Sequence, residues 1–264
     1  MIVKSEAVVL RTRKYGDTST IATLYTDGFG KVSALAKGDR ERGAKGGGAL
    51  DVLSIVSVVF YKKEHRELQL LSRVEHRRSL KRVEERLEHM AAGMVMLELA
   101  DVVTPAEERN PALYRLLVDS LTALDTAERN TSSLVFFFET HLLDILGFRP
   151  SWDACVRCGS AIDPGDAATP MAVDPVAGGT VCRQCADAGP MATRIQSGTY
   201  KFLSHMLSRQ RPEEALTVSM SASVRQEAGS MLMALLAHHV SWFKPLKSQA
   251  VFEAITQTAN VPAA

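Results

Sequence analysis

Residues 18–37 read TSTIATLYTDGFGKVSALAK, and this stretch decides the fold of everything before residue 80. Ile21, Thr23 and Tyr25 alternate along one side of a β-rich run at 18–26, the period of a strand. Asp27-Gly28-Phe29-Gly30 is a tight turn, because its glycines adopt positive φ at little cost. Residues 31–37 return as the second strand of a hairpin. Upstream, residues 2–13 are β-rich. Downstream, residues 38–48 hold five glycines and five charges without apolar periodicity and read as a mobile loop. Residues 52–61 are an apolar run enriched in β-branched and aromatic side chains. Residues 67–77 alternate, with Leu68, Leu70, Ser72 and Val74 facing one way and Gln69, Arg73, Glu75 and Arg77 the other. Five strands in about 75 residues, with a long loop after the third, predict a small closed barrel of the OB type; an SH3-like barrel is the alternative.

At Ser79 the period changes. Val83, Leu87, Met90, Met94 and Leu97 recur every three or four residues, which predicts an amphipathic helix ended by Pro105. Further helices are expected at about 111–128, 132–146, 193–208 and 222–243, with a frayed tail from 256 to 264. In the third of these five, Leu134 to Phe138 are apolar around nearly the whole circumference, so that helix belongs at the centre of its domain. The expected class is α+β and multidomain: a basic barrel over 1–78, then an α-helical domain over 79–264 with an insertion at about 152–188.

The bulk composition is that of an ordinary globular protein, 264 residues with 46% hydrophobic and 23% charged, enough apolar material for a sizeable core. The opening apolar run, Ala7 to Leu10, is too short for a signal peptide. The longest, Met231 to Ala237, is far short of the ~20 residues of a membrane helix. The cytoplasm is therefore the default expectation. The net charge of +1 hides an asymmetry. Residues 1–82 carry 17 Lys+Arg against 9 Asp+Glu, a net of +8, and the rest of the chain carries 14 against 21, a net of −7. A basic segment on an otherwise acidic chain points to a polyanionic partner.

All four cysteines fall in two pairs, Cys155-Val-Arg-Cys158 and Cys182-Arg-Gln-Cys185. Each CxxC turn aims two sulfurs inward, and two such knuckles complete a tetrahedron around zinc at ~2.3 Å. Gly159 suits the knuckle's need for positive φ. Four thiolates leave no coordination position for water, so the expected zinc is structural, one per chain. Its net charge of −2 is partly offset by Arg157 and Arg183. The competing readings are free thiols, disulfides, which a cytosolic setting disfavours, and a redox switch.

No catalytic motif is found. Gly28-Phe29-Gly30-Lys31 lacks the first glycine and the Ser/Thr of a phosphate loop, with Tyr25 and Val32 in those places. HExxH, GxSxG and a strand-following GxGxxG are missing. The candidate nucleic-acid surface comprises Arg11, Arg13 and Lys14, then Lys37, Arg40, Arg42 and Lys45, then Lys62, Lys63 and Arg66, with Arg73, Arg77 and Arg78 further along. Tyr15, Phe29 and Tyr61 lie nearby and are candidate stacking rings. A positive groove with a few rings is a usual device for holding single strands through phosphate, with little sequence preference.

Tyr15-Gly16-Asp17, Thr23-Leu24-Tyr25-Thr26, Gly30-Lys31-Val32 and Ala36-Lys37-Gly38 together resemble the N-terminal domain of the bacterial RecO family of DNA repair proteins. His141-Leu142-Leu143, Leu146-Gly147-Phe148-Arg149-Pro150 and Cys155 to Gly159 are similar to that family's helical domain as it enters its zinc finger. The resemblance implies an OB fold, a helical domain with zinc and no enzymatic turnover. It further implies binding to single- and double-stranded DNA, annealing of complementary strands, partnership with RecR and single-stranded-DNA-binding protein, and through these the loading of RecA. Asp39 and Glu41 interrupt a run that is basic in the family, which weakens the expected phosphate grip of that loop. Two rival readings remain. A zinc-ribbon regulatory factor would carry basic residues around its cysteines, whereas residues 152–188 hold only Arg157 and Arg183 against five aspartates. A thiol-based redox sensor would lose zinc to mild peroxide.

Overall fold

The computed structural model describes residues 1–38, 50–163, 170–188 and 192–258. Arg40, Arg42 and Lys45, with Asp39 and Glu41, lie outside the described residues, as does the tail from 259.

Five strands form the N-terminal barrel: β1 (Ile2–Tyr15), β2 (Ser19–Thr26), β3 (Gly30–Ala36), β4 (Ile55–Tyr61) and β5 (Leu68–Arg78). They close in the order β1-β2-β3-β5-β4, and every neighbouring pair is antiparallel except β3 with β5. This is the expected OB-type barrel. Its interior is filled by Val3, Ala7, Val9, Leu24, Val32, Val56, Val58, Phe60 and Leu71. β3 keeps strict alternation, buried at Gly30, Val32, Ala34 and Ala36. A bulge between Val9 and Arg11 ends the burial of β1 and turns the strand outward.

The inner face of β5 differs from the sequence expectation. Gln69 is buried and Leu68 and Leu70 only half-buried, because Gln69 closes the turn before it. Its amide donates to the carbonyls of Lys63 (3.1 Å) and Arg66 (2.6 Å) and accepts from the Lys63 N–H (2.9 Å). A buried amide that satisfies three backbone groups costs little to bury. It fixes the loop bearing Lys63 and Arg66.

The helix expected from Ser79 is broken. α1 (Lys81–Glu85) and α2 (Leu87–Val103) are separated by Arg86 in extended conformation. Val83 and Leu97 are buried as expected, but Leu87, Met90 and Met94 are exposed, Leu87 by 65%. The seam instead uses Ala91, Ala92, Gly93, Val95, Met96, Leu99, Ala100 and Val103. α2 is apolar on most sides, so periodicity alone does not choose its inner face; small residues do, by letting neighbours approach. A Cβ on Gly93 would stand 2.7 Å from the Leu53 side chain.

α3 (Pro111–Thr126) and α4 (Thr131–Ile145) match expectation, and α4 is buried throughout Thr131 to Thr140. A three-stranded sheet follows, order β7-β6-β8, built from β6 (Met171–Asp174), β7 (Gly179–Val181) and β8 (Thr193–Ile195). α5 (Arg183–Ala188), α6 (Ser197–Ser208), α7 (Pro212–Ala215) and α8 (Ala222–His239) complete this part. The helix expected at 193–208 starts only at Ser197; Thr193 to Ile195 pair with β6 instead. None of the helices among the described residues is long and apolar enough to cross a membrane.

α9 (Lys247–Thr258) has no counterpart in the sequence reading. Its first turn is capped from 149 residues away. The Glu98 carboxylate on α2 accepts the N–H groups of Lys247 (3.0 Å) and Ser248 (2.8 Å) and the Ser248 hydroxyl (2.6 Å). Burial raises the Glu98 carboxyl, but the Ser248 and Lys247 bonds outweigh it and hold the group below the ordinary carboxylate range. A carboxyl lowered by folding contributes stability above its unfolded value and loses it as pH falls through the folded one. Below about pH 4, the protection of the Lys247 and Ser248 amides relative to intrinsic exchange is therefore expected to fall several-fold, and Glu98→Ala should show that loss of protection already at pH 7.

By contact, the chain forms two compact units: Met1–Thr126 with Leu246–Ile255, and Ala127–Pro245 with the chain from Thr256. The barrel therefore shares a unit with α1, α2 and α3. Gly30 shows one reason. It sits at φ +64°, and a Cβ there would overlap the Glu108 carbonyl. Glu107 N–H donates to the Lys31 carbonyl (2.9 Å), and Arg109 Nε to that of Asp27 (3.1 Å).

Candidate functional site

The barrel carries a groove of about 470 Å³ lined by Arg11, Thr12, Arg13, Ile21, Thr23, Ser33, Glu67 and Leu68. β1, turned outward after its bulge, provides the basic wall. β2 and β3 form the floor with two hydroxyls. The start of β5 forms the far rim, reached directly from the loop that bears Lys63 and Arg66. Of the residues expected from sequence, Arg11 and Arg13 line this groove. Lys14 and Tyr15 follow at the exposed end of β1, Tyr15 with 53% of its surface open. Lys37 is exposed just after β3.

The remaining candidates differ in availability. Lys62 is folded inward, 3.8 Å from the Glu107 carboxylate and 5.2 Å over the Phe29 ring. Phe29 itself packs edge-on against Phe60 in the barrel core, so of the three rings only Tyr15 and Tyr61 are open. Arg73 pairs with Glu75, Arg77 with Glu6, and Arg78 donates to Thr122. Among the described residues, no ion pair or hydrogen bond engages the side chains of Arg13, Lys14, Lys63 or Arg66. Thr23 and Ser33 were not singled out by sequence reasoning. As small hydroxyls in a hairpin they look like ordinary strand residues, and it is the register Arg11–Thr23–Ser33 across β1, β2 and β3 that puts them beside the arginines.

In the second unit the four cysteines converge, with all four sulfurs within 4.8 Å of one another. The Cys158 and Cys182 sulfurs are 3.7 Å apart. That separation matches the roughly 3.8 Å edge of a tetrahedron with Zn–S bonds of ~2.3 Å, and all four cysteines are free of disulfides. The first knuckle closes through the Gly159 N–H to the Cys155 carbonyl (2.8 Å), with Gly159 at φ +76°. The second begins as β7 ends, and Cys185 lies in the first turn of α5.

Arg157 cross-ties the knuckles, donating to the Cys185 carbonyl (2.8 Å) and to the Asp174 carboxylate on β6 (2.8 Å). Its charge is thus already matched by Asp174. The Tyr200 hydroxyl on α6 donates to the Trp152 carbonyl (2.8 Å), tying the module to the helices.

The sulfur electrostatics suit a cation. Burial raises the Cys155 thiol, yet N–H groups of Cys182, Arg157 and Cys158 overcome this and bring it down to about 6. Cys185 is pushed up to about 12, first by the Cys158 sulfur and then by that of Cys182. Four sulfurs this close do not all ionise without a positive charge between them. The donor set fits a thiolate-binding metal with no position left for a substrate.

The chain matches the family model described as Recombination protein O N terminal over residues 1–80 and the one described as Recombination protein O C terminal over residues 84–250. The DNA repair protein RecO of Salinibacter ruber is 32% identical over 254 residues, 96% of this chain and 94% of its own. That of Geobacter sulfurreducens is 34% identical over 260 residues, covering 96% and 98%. That of Symbiobacterium thermophilum is 35% identical over 202 residues, covering 76% and 78%. Barrel, helices and cysteine cluster thus occur together in a chain that belongs to the RecO family of DNA repair proteins.

Proposed function

We propose that this protein is a non-catalytic recombination mediator that holds DNA along the barrel groove. The observation that carries this reading is the groove of about 470 Å³ in which Arg11 and Arg13 stand beside Thr23 and Ser33 on the neighbouring strands, with Tyr15 open at the end of β1. Guanidinium groups neutralise phosphate, and hydroxyls donate to it. Neither reads a base edge, so single and double strands of any sequence are accommodated. Two strands held through their backbones keep their bases free to pair, which is the physical requirement for annealing. RecR and single-stranded-DNA-binding protein are the expected partners, and loading of RecA the outcome.

In this reading residues 1–78 bind DNA, and residues 79–264 provide scaffold and protein contacts. One structural Zn²⁺ on Cys155, Cys158, Cys182 and Cys185 supplies folding energy to the second unit. The protein works in the cytoplasm. The rival in which the zinc module itself grips nucleic acid is disfavoured because Arg157 is already matched by Asp174.

Titration of a labelled single strand tests the reading. Log K is expected to fall linearly with log salt, by about 0.7 for each phosphate neutralised, giving a slope of roughly −2 to −4 for three to six contacts. Complementary strands should anneal faster with the protein than without it. Salt-insensitive binding would point to stacking or hydrophobic contact instead.

A further inference from the structure

Asp101 stands in the last turn of α2, where the helix dipole disfavours a carboxylate. Its position is explained by two cations from the barrel. Lys31 Nζ lies 3.1 Å from Oδ1 and also donates to the Asp101 main-chain carbonyl at 2.6 Å. Arg11 Nε lies 3.2 Å from Oδ2 as an ion pair, while its single N–H donates to the Thr23 hydroxyl at 3.2 Å. Lys31 and Asp101 are mostly covered, with side chains 17% and 18% exposed, whereas Arg11 is 67% exposed. Arg11 is therefore gripped only at Nε. Among the described residues nothing takes its two terminal nitrogens, and the side chain lines the groove.

We propose that Asp101 is a positioning residue for nucleic-acid phosphate, holding Arg11 by its Nε so that both terminal nitrogens face a phosphate in the barrel groove. The inference rests on the groove being the DNA site. A guanidinium reaches a phosphate through two parallel N–H bonds from its outer nitrogens, so an anchor at Nε leaves that fork intact. A long side chain held in advance also loses less freedom on binding than one that must be ordered by the ligand. Lys31 serves as the fixed partner that keeps the Asp101 carboxylate in place beside Arg11. No simple charge count gives this role. A carboxylate beside a phosphate path repels it, and its removal should tighten binding if charge alone mattered.

The opposite signs make the test decisive. Binding of a labelled oligothymidylate is measured across a salt series for wild type, Arg11→Ala, Arg11→Lys, Asp101→Asn and the Arg11→Ala/Asp101→Asn double variant. Asp101→Asn is expected to bind roughly five- to tenfold more weakly, the scale of one weakened charged hydrogen bond. Its salt slope should drop by about 0.7, one phosphate contact. The double variant should bind no more weakly than Arg11→Ala, since both changes remove the same contact. Arg11→Lys is an exposed substitution that leaves the Lys31–Asp101 pair untouched, so it decides the matter even where Asp101→Asn fails to fold. It keeps the charge but has no separate Nε to anchor, and should bind nearly as weakly as Arg11→Ala. Equal or tighter binding by folded Asp101→Asn, or wild-type binding by Arg11→Lys, overturns the inference while a defect in Arg11→Ala leaves the groove reading standing. Wild-type binding by Arg11→Ala overturns the inference together with Arg11's place in the DNA site.

Discussion

Replacing Cys158 or Cys182 with Ser is expected to strip the metal and melt the zinc module. Besides their sulfurs, the two knuckles are joined by the Arg157 cross-tie, by the Val156 N–H to the Thr180 carbonyl at 2.9 Å, by the Cys182 N–H to the Cys155 sulfur and by the short pairing of Ser151 with Gly178 to Thr180. The small cluster of Cys155, Ala172 and Val181 does not amount to a hydrophobic core able to hold them. Structural zinc contributes roughly 10 kcal/mol or more to the folding of small modules. Loss of even ~3 kcal/mol lowers the unfolding midpoint of a unit this size by about 6–12 °C. Two consequences separate this from a local thiol effect. The Tyr200 bond to Trp152 should be lost, raising amide exchange at the start of α6. Chelation of the wild-type protein should reproduce the same change, and zinc should reverse it. A Cys158→Ser protein with an unchanged midpoint and unchanged exchange in α6 would mean that the cluster is not structural.

The convergence of the four cysteines was almost wholly legible in the sequence, because the constraint is local: two CxxC turns and a glycine at the first carry most of the geometry. The barrel was legible for a related reason. Strand period and turn chemistry are short-range, and a hairpin such as 18–37 states both. What escaped reading depends on distant partners. α9 begins where Glu98 accepts its first N–H groups, and nothing near Lys247 announces a cap supplied from α2. The inner face of α2 was misread because Leu87, Met90 and Met94 form a convincing stripe, while the packed seam consists of smaller residues. Gln69 looks like a solvent-facing strand residue until the three backbone groups it satisfies are known. The availability of the basic residues was also hidden. A lysine count treats Lys62 and Lys63 alike, yet one is matched by Glu107 and the other is open.

That difference selects the variant for the second large effect. Arg11 and Lys62 have carboxylate neighbours, so reversing their charge would disturb Asp101 or Glu107 as well as DNA. Arg13→Glu, Lys63→Glu and Arg66→Glu together avoid this, since their side chains are exposed and without partners among the described residues. Exposed changes of this kind usually shift stability by less than about 0.5 kcal/mol each. Each reversal removes one cation and adds one anion beside the groove. Phosphate contacts are lost along with their released counterions, and repulsion is added. A fall in affinity of roughly 100-fold or more is expected at low salt, the scale of two lost charged contacts. Annealing should fail in parallel, while the protein stays folded and metal-loaded.

The most direct measurement is a titration of one labelled single strand at fixed low salt with three proteins: wild type, the Arg13/Lys63/Arg66 reversal and a Cys158→Ser variant confirmed to keep its barrel folded. If the groove is the DNA site, the reversal loses nearly all binding and Cys158→Ser retains most of it. Wild-type affinity in the reversal, with binding lost in Cys158→Ser, would place the DNA on the zinc module and contradict the assignment of DNA to the barrel.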